Sequence, residues 1–181
     1  MKVLNGIFVA LTIALTVFIF SFSAQTGEES AGLSGKIAHK VINILFDEYE
    51  SYEEEKQQEI YHTIHLIVRK TAHFCEYGLL ATLILSSVVT GILAYKNGCF
   101  TAIWQKKWCI FAVVTQIMVS VYALTDEFHQ NFVEGRGPSL KDVFIDSAGG
   151  FTAIICYMLI VWCVAKYLNK KRFEQIEKEI C

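Results

Sequence analysis

The sequence predicts an all-α integral membrane protein: a four-helix bundle with short amphipathic helices in the outer loop between its first two spans. Three observations carry that prediction. The 181-residue chain is 54% hydrophobic, has one proline and a net charge of −2, a hydropathy high for a soluble domain. Four runs approach the roughly 20 apolar residues that a bilayer-crossing helix needs: Val3 to Phe22, Tyr77 to Tyr95, Trp108 to Thr125 and Ser147 to Ala165. None of the four carries the polar face that a soluble amphipathic helix presents to water. The chain is therefore divided, as a single membrane domain, into spans at about 3–22, 71–95, 108–128 and 141–165, an outer segment 23–70 and a cytoplasmic tail 166–181.

The first run is broken only by Asn5, Gly6 and a few hydroxyls. Lys2 and Ser21-Phe22-Ser23 offer the basic start and small residues of a signal peptide. The apolar core exceeds the roughly 7–15 residues of such a peptide, so a retained anchoring helix is expected. Beyond it, Gly27, Gly32 and Gly35 mark a turn-rich exit from the bilayer. Ser34 is expected to cap a helix in which Ile37, Val41, Ile44 and Leu45 recur at helical spacing. The acidic run Asp47 to Glu55 reads as a solvated helix or linker without chemistry. A second amphipathic pattern, Ile60, Ile64, Ile67 and Val68, leads into the second span. Both helices are expected to lie in the interface, apolar faces on lipid or on the bundle. In the fourth span, Gly149-Gly150 with Ala148 and Ala153 forms a small face suited to close helix packing.

Lys2, Lys96, Lys106, Lys107, Lys166, Lys170, Lys171 and Arg172 fall on one side of a four-span arrangement. The positive-inside rule makes that side cytoplasmic, giving a multi-pass cell-membrane protein with both termini inside. The tail also carries Glu174, Glu177 and Glu179, a mixture that suits topology and solubility and no nucleic acid. Of six cysteines, Cys75, Cys109, Cys156 and Cys163 fall in spans and Cys99 and Cys181 on the cytoplasmic side. None has metal-binding spacing, and they read as small apolar fillers.

The spans bring three charged places to the outer face. Arg69, Lys70, His73, Glu76 and Tyr77 open the second span, with Lys70, His73 and Tyr77 on one face. Asp126, Glu127, His129 and Gln130 close the third, and Asp142 and Asp146, one turn apart, open the fourth. The short loop from Asn131 to Ser139, holding Arg136 and Pro138, makes the third and fourth helices antiparallel neighbours. Ser23 and Gln25 leave the first span at the same level. A charge at a helix centre costs about 2.5–3.5 kcal/mol on insertion scales, so a convergent set points to a functional site.

Three roles compete. As acid/base machinery, His73, Glu76, Asp126, Glu127, His129, Asp142 and Asp146 would carry the chemistry. Arg69, Lys70, Gln130 and Arg136 would then hold the substrate, a phosphate or carboxylate of an envelope molecule. As a metal site, the histidines and carboxylates suit Zn, Mn or Fe, but no H-E-x-x-H or paired E-x-x-H occurs, and neither metal nor cofactor is named. As a structural network, Arg69 and Arg136 would pair with Asp or Glu at the helix ends while His73 satisfies a carbonyl.

At these residues the chain resembles the VanZ-like family of small bacterial membrane proteins. The resembling segments are Phe20-Ser21-Phe22-Ser23-Ala24-Gln25, Leu33-Ser34, Arg69-Lys70-Thr71-Ala72-His73-Phe74-Cys75-Glu76-Tyr77 and Asp126-Glu127-Phe128-His129-Gln130. Phe132, Gly135-Arg136, Ser139, Asp142, Asp146 and Gly149-Gly150 follow. The combination of R-K-x-x-H-x-x-E-Y with D-E-x-H-Q and R-x-x-S-x-x-D is specific, although each piece alone is weak. The resemblance implies a link to glycopeptide resistance, specifically to teicoplanin. It leaves two expectations open: an enzyme modifying a lipid-linked or cell-wall precursor, or a non-catalytic accessory protein shielding an envelope component. A transporter is disfavoured, because the four helices show neither repeats nor broken segments.

Overall fold

With no proline before Pro138, little in the chain interrupts a helix once it has started. The computed structural model describes residues 1–95 and 100–180, and the side chains of all of these except 29, 95, 100–106, 168, 169 and 172–180. Among the described residues five α-helices follow one another: α1 (Lys2–Ser23), α2 (Gly27–Leu45), α3 (Glu54–Tyr95), α4 (Phe100–Gln130) and α5 (Leu140–Ile180). A single 3-10 turn, Tyr49–Ser51, lies between α2 and α3. There is no strand among the described residues.

Within α1, α3, α4 and α5 lie segments long and apolar enough to cross a bilayer: Lys2–Ser23, Glu54–Ala94, Lys107–Gln130 and Leu140–Tyr167. Their outward faces agree with that. Val113, Ile117 and Val121 on α4 and Ile155, Leu159 and Trp162 on α5 are exposed on the bundle surface. Water would not tolerate so continuous an apolar surface; lipid does. The chain is an all-α membrane helical bundle. Cys75, Cys109, Cys156 and Cys163 also sit on that exposed surface, not in the interior as apolar fillers. Lys96, Cys99 and Cys181 lie outside the described residues.

α3 is the central helix and touches the other four. Its Tyr77, Leu80, Ala81 and Leu85 form the core with Ile19 of α1, Val119 and Ala123 of α4 and Ile154 of α5. The tightest seam runs between α3 and α5. A Cβ on Gly149 would collide with the Phe74 carbonyl, and one on Gly78 would lie 3.5 Å from the Ala153 Cβ. The small face expected of the fourth span is therefore what lets these backbones approach. Polar links hold the other seams. Asn5 Nδ2 donates to the Ser87 carbonyl at 2.7 Å and to Thr90 Oγ1 at 3.1 Å. Tyr122 Oη donates to the Thr16 carbonyl at 2.7 Å, and Gln116 Nε2 to the Ser147 carbonyl at 3.0 Å.

The segment before the second span differs in detail from the expectation. Residues 54–77 contain neither glycine nor proline, so the Ile60–Val68 pattern continues into the span without a break. The resulting 42-residue α3 is about 63 Å long, twice the roughly 30 Å of a hydrocarbon core. α2 packs on its N-terminal half as a helical hairpin. α2 starts at Gly27, which places Ser34 inside the helix instead of at its cap; its hydroxyl donates to the Ser30 carbonyl and meets His65 Nε2 at 2.7 Å. The buried residues of α2, among those described, are Gly35, Ala38 and Ile42, whereas Ile37, Ile44 and Leu45 of the expected stripe are exposed. Size selects the face. Gly35 and Ala38 let α2 come close to α3, and a Cβ on Gly35 would meet the Tyr61 hydroxyl.

Candidate functional site

The ends of α1 and α4, the start of α5 and the middle of α3 meet at one end of the bundle. The loop 131–139 closes this end. Gly135 takes φ +73° there, a left-handed conformation open to glycine without a Cβ penalty. Gly27 N donates to the Glu134 carbonyl at 3.0 Å, which pins the loop against the start of α2. That closure carries Arg136 inward, where its Nη2 donates to the Phe22 carbonyl at 3.3 Å. Burial, and next the Arg69 charge, lower the Arg136 pKa from the ordinary guanidinium value.

Ser139 starts α5. Its hydroxyl accepts from Asp142 N at 3.3 Å, the bond expected of an N-cap. Ser139 N donates to Glu127 Oε2 at 2.8 Å. Glu127, a candidate for chemistry by sequence, thereby ties the end of α4 to the start of α5. Lys70 Nζ meets Asp142 Oδ1 at 2.7 Å, tying α3 to α5 in the same way.

Two cavities flank the remaining charged groups. The first, about 280 Å³, lies between α1, α2 and α3. Phe18, Phe22, Leu33 and Ile37 supply an apolar wall, and Arg69, His73, Glu76, Asp126 and Arg136 supply the polar one. The second, about 210 Å³, is lined by Arg69, Lys70, His73, Arg136, Asp142 and Asp146. Arg69, His73 and Arg136 thus line both. His73 Nδ1 lies 3.6 Å from Asp146 Oδ1, and among the described residues neither oxygen of the fully buried Asp146 carboxylate has a hydrogen-bond partner. Asp126 is buried as well; its Oδ2 accepts from Gln130 Nε2 at 3.3 Å while its Oδ1 has no partner.

Of the sequence candidates, Arg69, Lys70, His73, Glu76, Asp126, Arg136, Asp142 and Asp146 come together around these cavities. Gln130 serves Asp126, and Glu127 serves the helix junction. His129 lines neither cavity: its ring lies against Phe20 of α1, centroids 4.4 Å apart. The structural network expected at the helix ends does not form as drawn. Among the described residues neither Arg69 nor Arg136 pairs with a carboxylate, and His73 Nδ1 bonds no carbonyl. Nor do any three His, Cys, Asp or Glu side chains among the described residues stand where they could hold one metal ion.

Sequence reasoning placed Ser23 and Gln25 at this level, and both line the first cavity. It missed the apolar wall. Phe18 and Phe22 stand one turn apart on α1, a signal hidden inside a run where every neighbour is also apolar. Chemically, the site can hold an anion on two guanidinium groups and move a proton at an imidazole beside a carboxylate.

A family model described as VanZ/LLP1 matches residues 8–161, a stretch that contains every cavity-lining side chain named above. No curated protein and no solved structure matches the chain.

Proposed function

Because the chain belongs to the VanZ/LLP1 family, we propose that it acts at the cell envelope, holding the anionic group of a lipid-linked or cell-wall molecule in its first cavity and modifying it there. One observation carries this reading: Arg69, Arg136 and His73 share a cavity whose opposite wall is apolar. A lipid-borne anion needs both walls. Arg69 and Arg136 hold the charge, and His73, 3.6 Å from Asp146, moves the proton. Glu76 and Asp126 orient the bound group. The distribution of Lys and Arg supports a cavity at the outer face of the cell membrane with both termini in the cytoplasm. Reduced susceptibility to teicoplanin, which the family resemblance implies, is the expected consequence of altering that envelope molecule.

The test uses a teicoplanin-susceptible bacterium lacking the chain. Wild type is expected to raise the inhibitory concentration of teicoplanin. His73→Gln and Arg136→Gln should return it to the vector level at equal abundance in the membrane. Unchanged resistance in both variants would sink the proposal. A second reading is favoured by the His73–Asp146 gap, which is longer than a hydrogen bond: the cavity binds and shields its ligand without chemistry. Loss of resistance in Arg136→Gln with full resistance in His73→Gln would select that reading.

A further inference from the structure

The first cavity holds charges of both signs that, among the described residues, form no close ion pair with one another. Arg69 and Arg136 line it together with Glu76 and Asp126, yet among the described residues the contacts within ion-pair range are Lys70–Asp142 and the approach of the His73 imidazole to Asp146, which is ionic only when the ring is protonated. Arg136 has its Nε buried without a partner, as is Asp126 Oδ1. Opposite charges in a poorly polarisable interior attract strongly, so side chains able to meet would be expected to do so. Here they line one polar wall without closing on one another within ion-pair distance. Arg69 and Glu76 are seven residues apart on α3, about 10.5 Å along the axis, with His73 between them. A simple anion placed at Arg69 cannot also reach Glu76.

We infer that this cavity takes the head of a zwitterionic phospholipid, its phosphate at Arg69 and Arg136 and its ammonium at Glu76 and Asp126, with the tails leaving between α1 and α2. The walls fit such a ligand. Phe18, Leu33 and Ile37 line the cavity and are also exposed on the bundle surface, so apolar contact continues from the site into the surrounding lipid. A volume of about 280 Å³ is at the small end for ligand sites, which suits a head group whose tails remain in the bilayer. The inference deepens the functional proposal above and rests on its premise that this cavity is a ligand site.

Titration of the purified full-length chain in detergent micelles, read by native mass spectrometry, tests it. The probes are phosphatidylethanolamine, phosphatidylglycerol with the same acyl chains, and tail-free glycerophosphoethanolamine. Phosphatidylethanolamine is expected to bind about tenfold tighter than phosphatidylglycerol, with the tail-free head group far weaker. Glu76→Gln should bring the two lipids to parity by weakening phosphatidylethanolamine alone, and Arg136→Gln should weaken both. Equal binding of the two lipids to wild type, an undiminished preference in Glu76→Gln, or tail-free binding as tight as that of the lipid overturns the inference. If both lipids bind equally but still need Arg136, the charge-pair inference fails while the anion site stands. If Arg136→Gln alters neither lipid binding nor teicoplanin susceptibility, the functional proposal falls with it.

Discussion

Asp146 is poorly compensated: fully buried on α5, both oxygens without hydrogen bonds among the described residues, and the nearest basic group an imidazole 3.6 Å away. A buried carboxylate in that condition opposes folding, and a site that keeps one gives up stability for function. Asp146→Asn removes the charge at nearly constant volume. It is expected to raise the melting temperature of the detergent-solubilised protein by roughly 2–4 °C, as about 1 kcal/mol does for a chain of this size, while abolishing teicoplanin resistance. Thermal unfolding and inhibitory concentrations check the two halves separately; a lower melting temperature would sink the argument. Ser139→Ala should instead destabilise by about 1 kcal/mol through loss of the α5 cap, measured in the same unfolding assay. At this scale the sequence was informative about neighbourhood and silent about rotation. The motif around Arg69, His73 and Glu76 and the run Asp126 to Gln130 reach the same end of the bundle. Each step along a helix turns about 100°, however, and packing alone decides that Asp126 faces inward while His129 lies on Phe20. Glu127 looked like chemistry because a carboxylate's partner, here the backbone of Ser139, cannot be read from the carboxylate.

Helices here are joined by two kinds of contact, and their strengths differ. At the α3–α5 seam a single methyl on Gly149 would strike the Phe74 carbonyl, and relief requires moving whole backbones. Gly149→Ala is expected to cost about 1–3 kcal/mol, the range for overpacking. At the α1–α3 seam Asn5 supplies two hydrogen bonds; interhelical bonds of this kind average only about 0.6 kcal/mol each in membranes. Asn5→Leu should therefore be the milder of the two in thermal unfolding, and the reverse order would refute this comparison. The small residues of the fourth span announced close packing, and the structure divides them between two seams: Gly149 meets Phe74 of α3 and Gly150 meets Val119 of α4. α2 gave a misleading stripe for a related reason. Hydrophobic periodicity points to Ile37 and Ile44, but closeness to α3 is decided by the absence of bulk at Gly35 and Ala38.

For the whole molecule, four apolar runs were enough to define the bundle. The length of α3 was not legible, since a change from polar to apolar composition near residue 70 resembles a boundary between elements although the backbone has no reason to stop. The extended half of α3 carries α2 as a hairpin. We expect an alkaline phosphatase fusion after Phe46 to be active and one at the C-terminus inactive, as the charge bias requires; activity at the C-terminus would invert the proposed orientation. The Gly149–Phe74 contact bears on how the molecule could move. With no slack on that side, α3 and α5 behave as a fixed post; α1 is fastened to the bundle by the bonds of Asn5 and Tyr122 and runs into α2 through residues 24–26 alone, so these two helices form the apolar side of the first cavity. On the functional reading proposed above, a ligand would reach that cavity sideways, past Phe18 and Leu33, from the plane of the membrane.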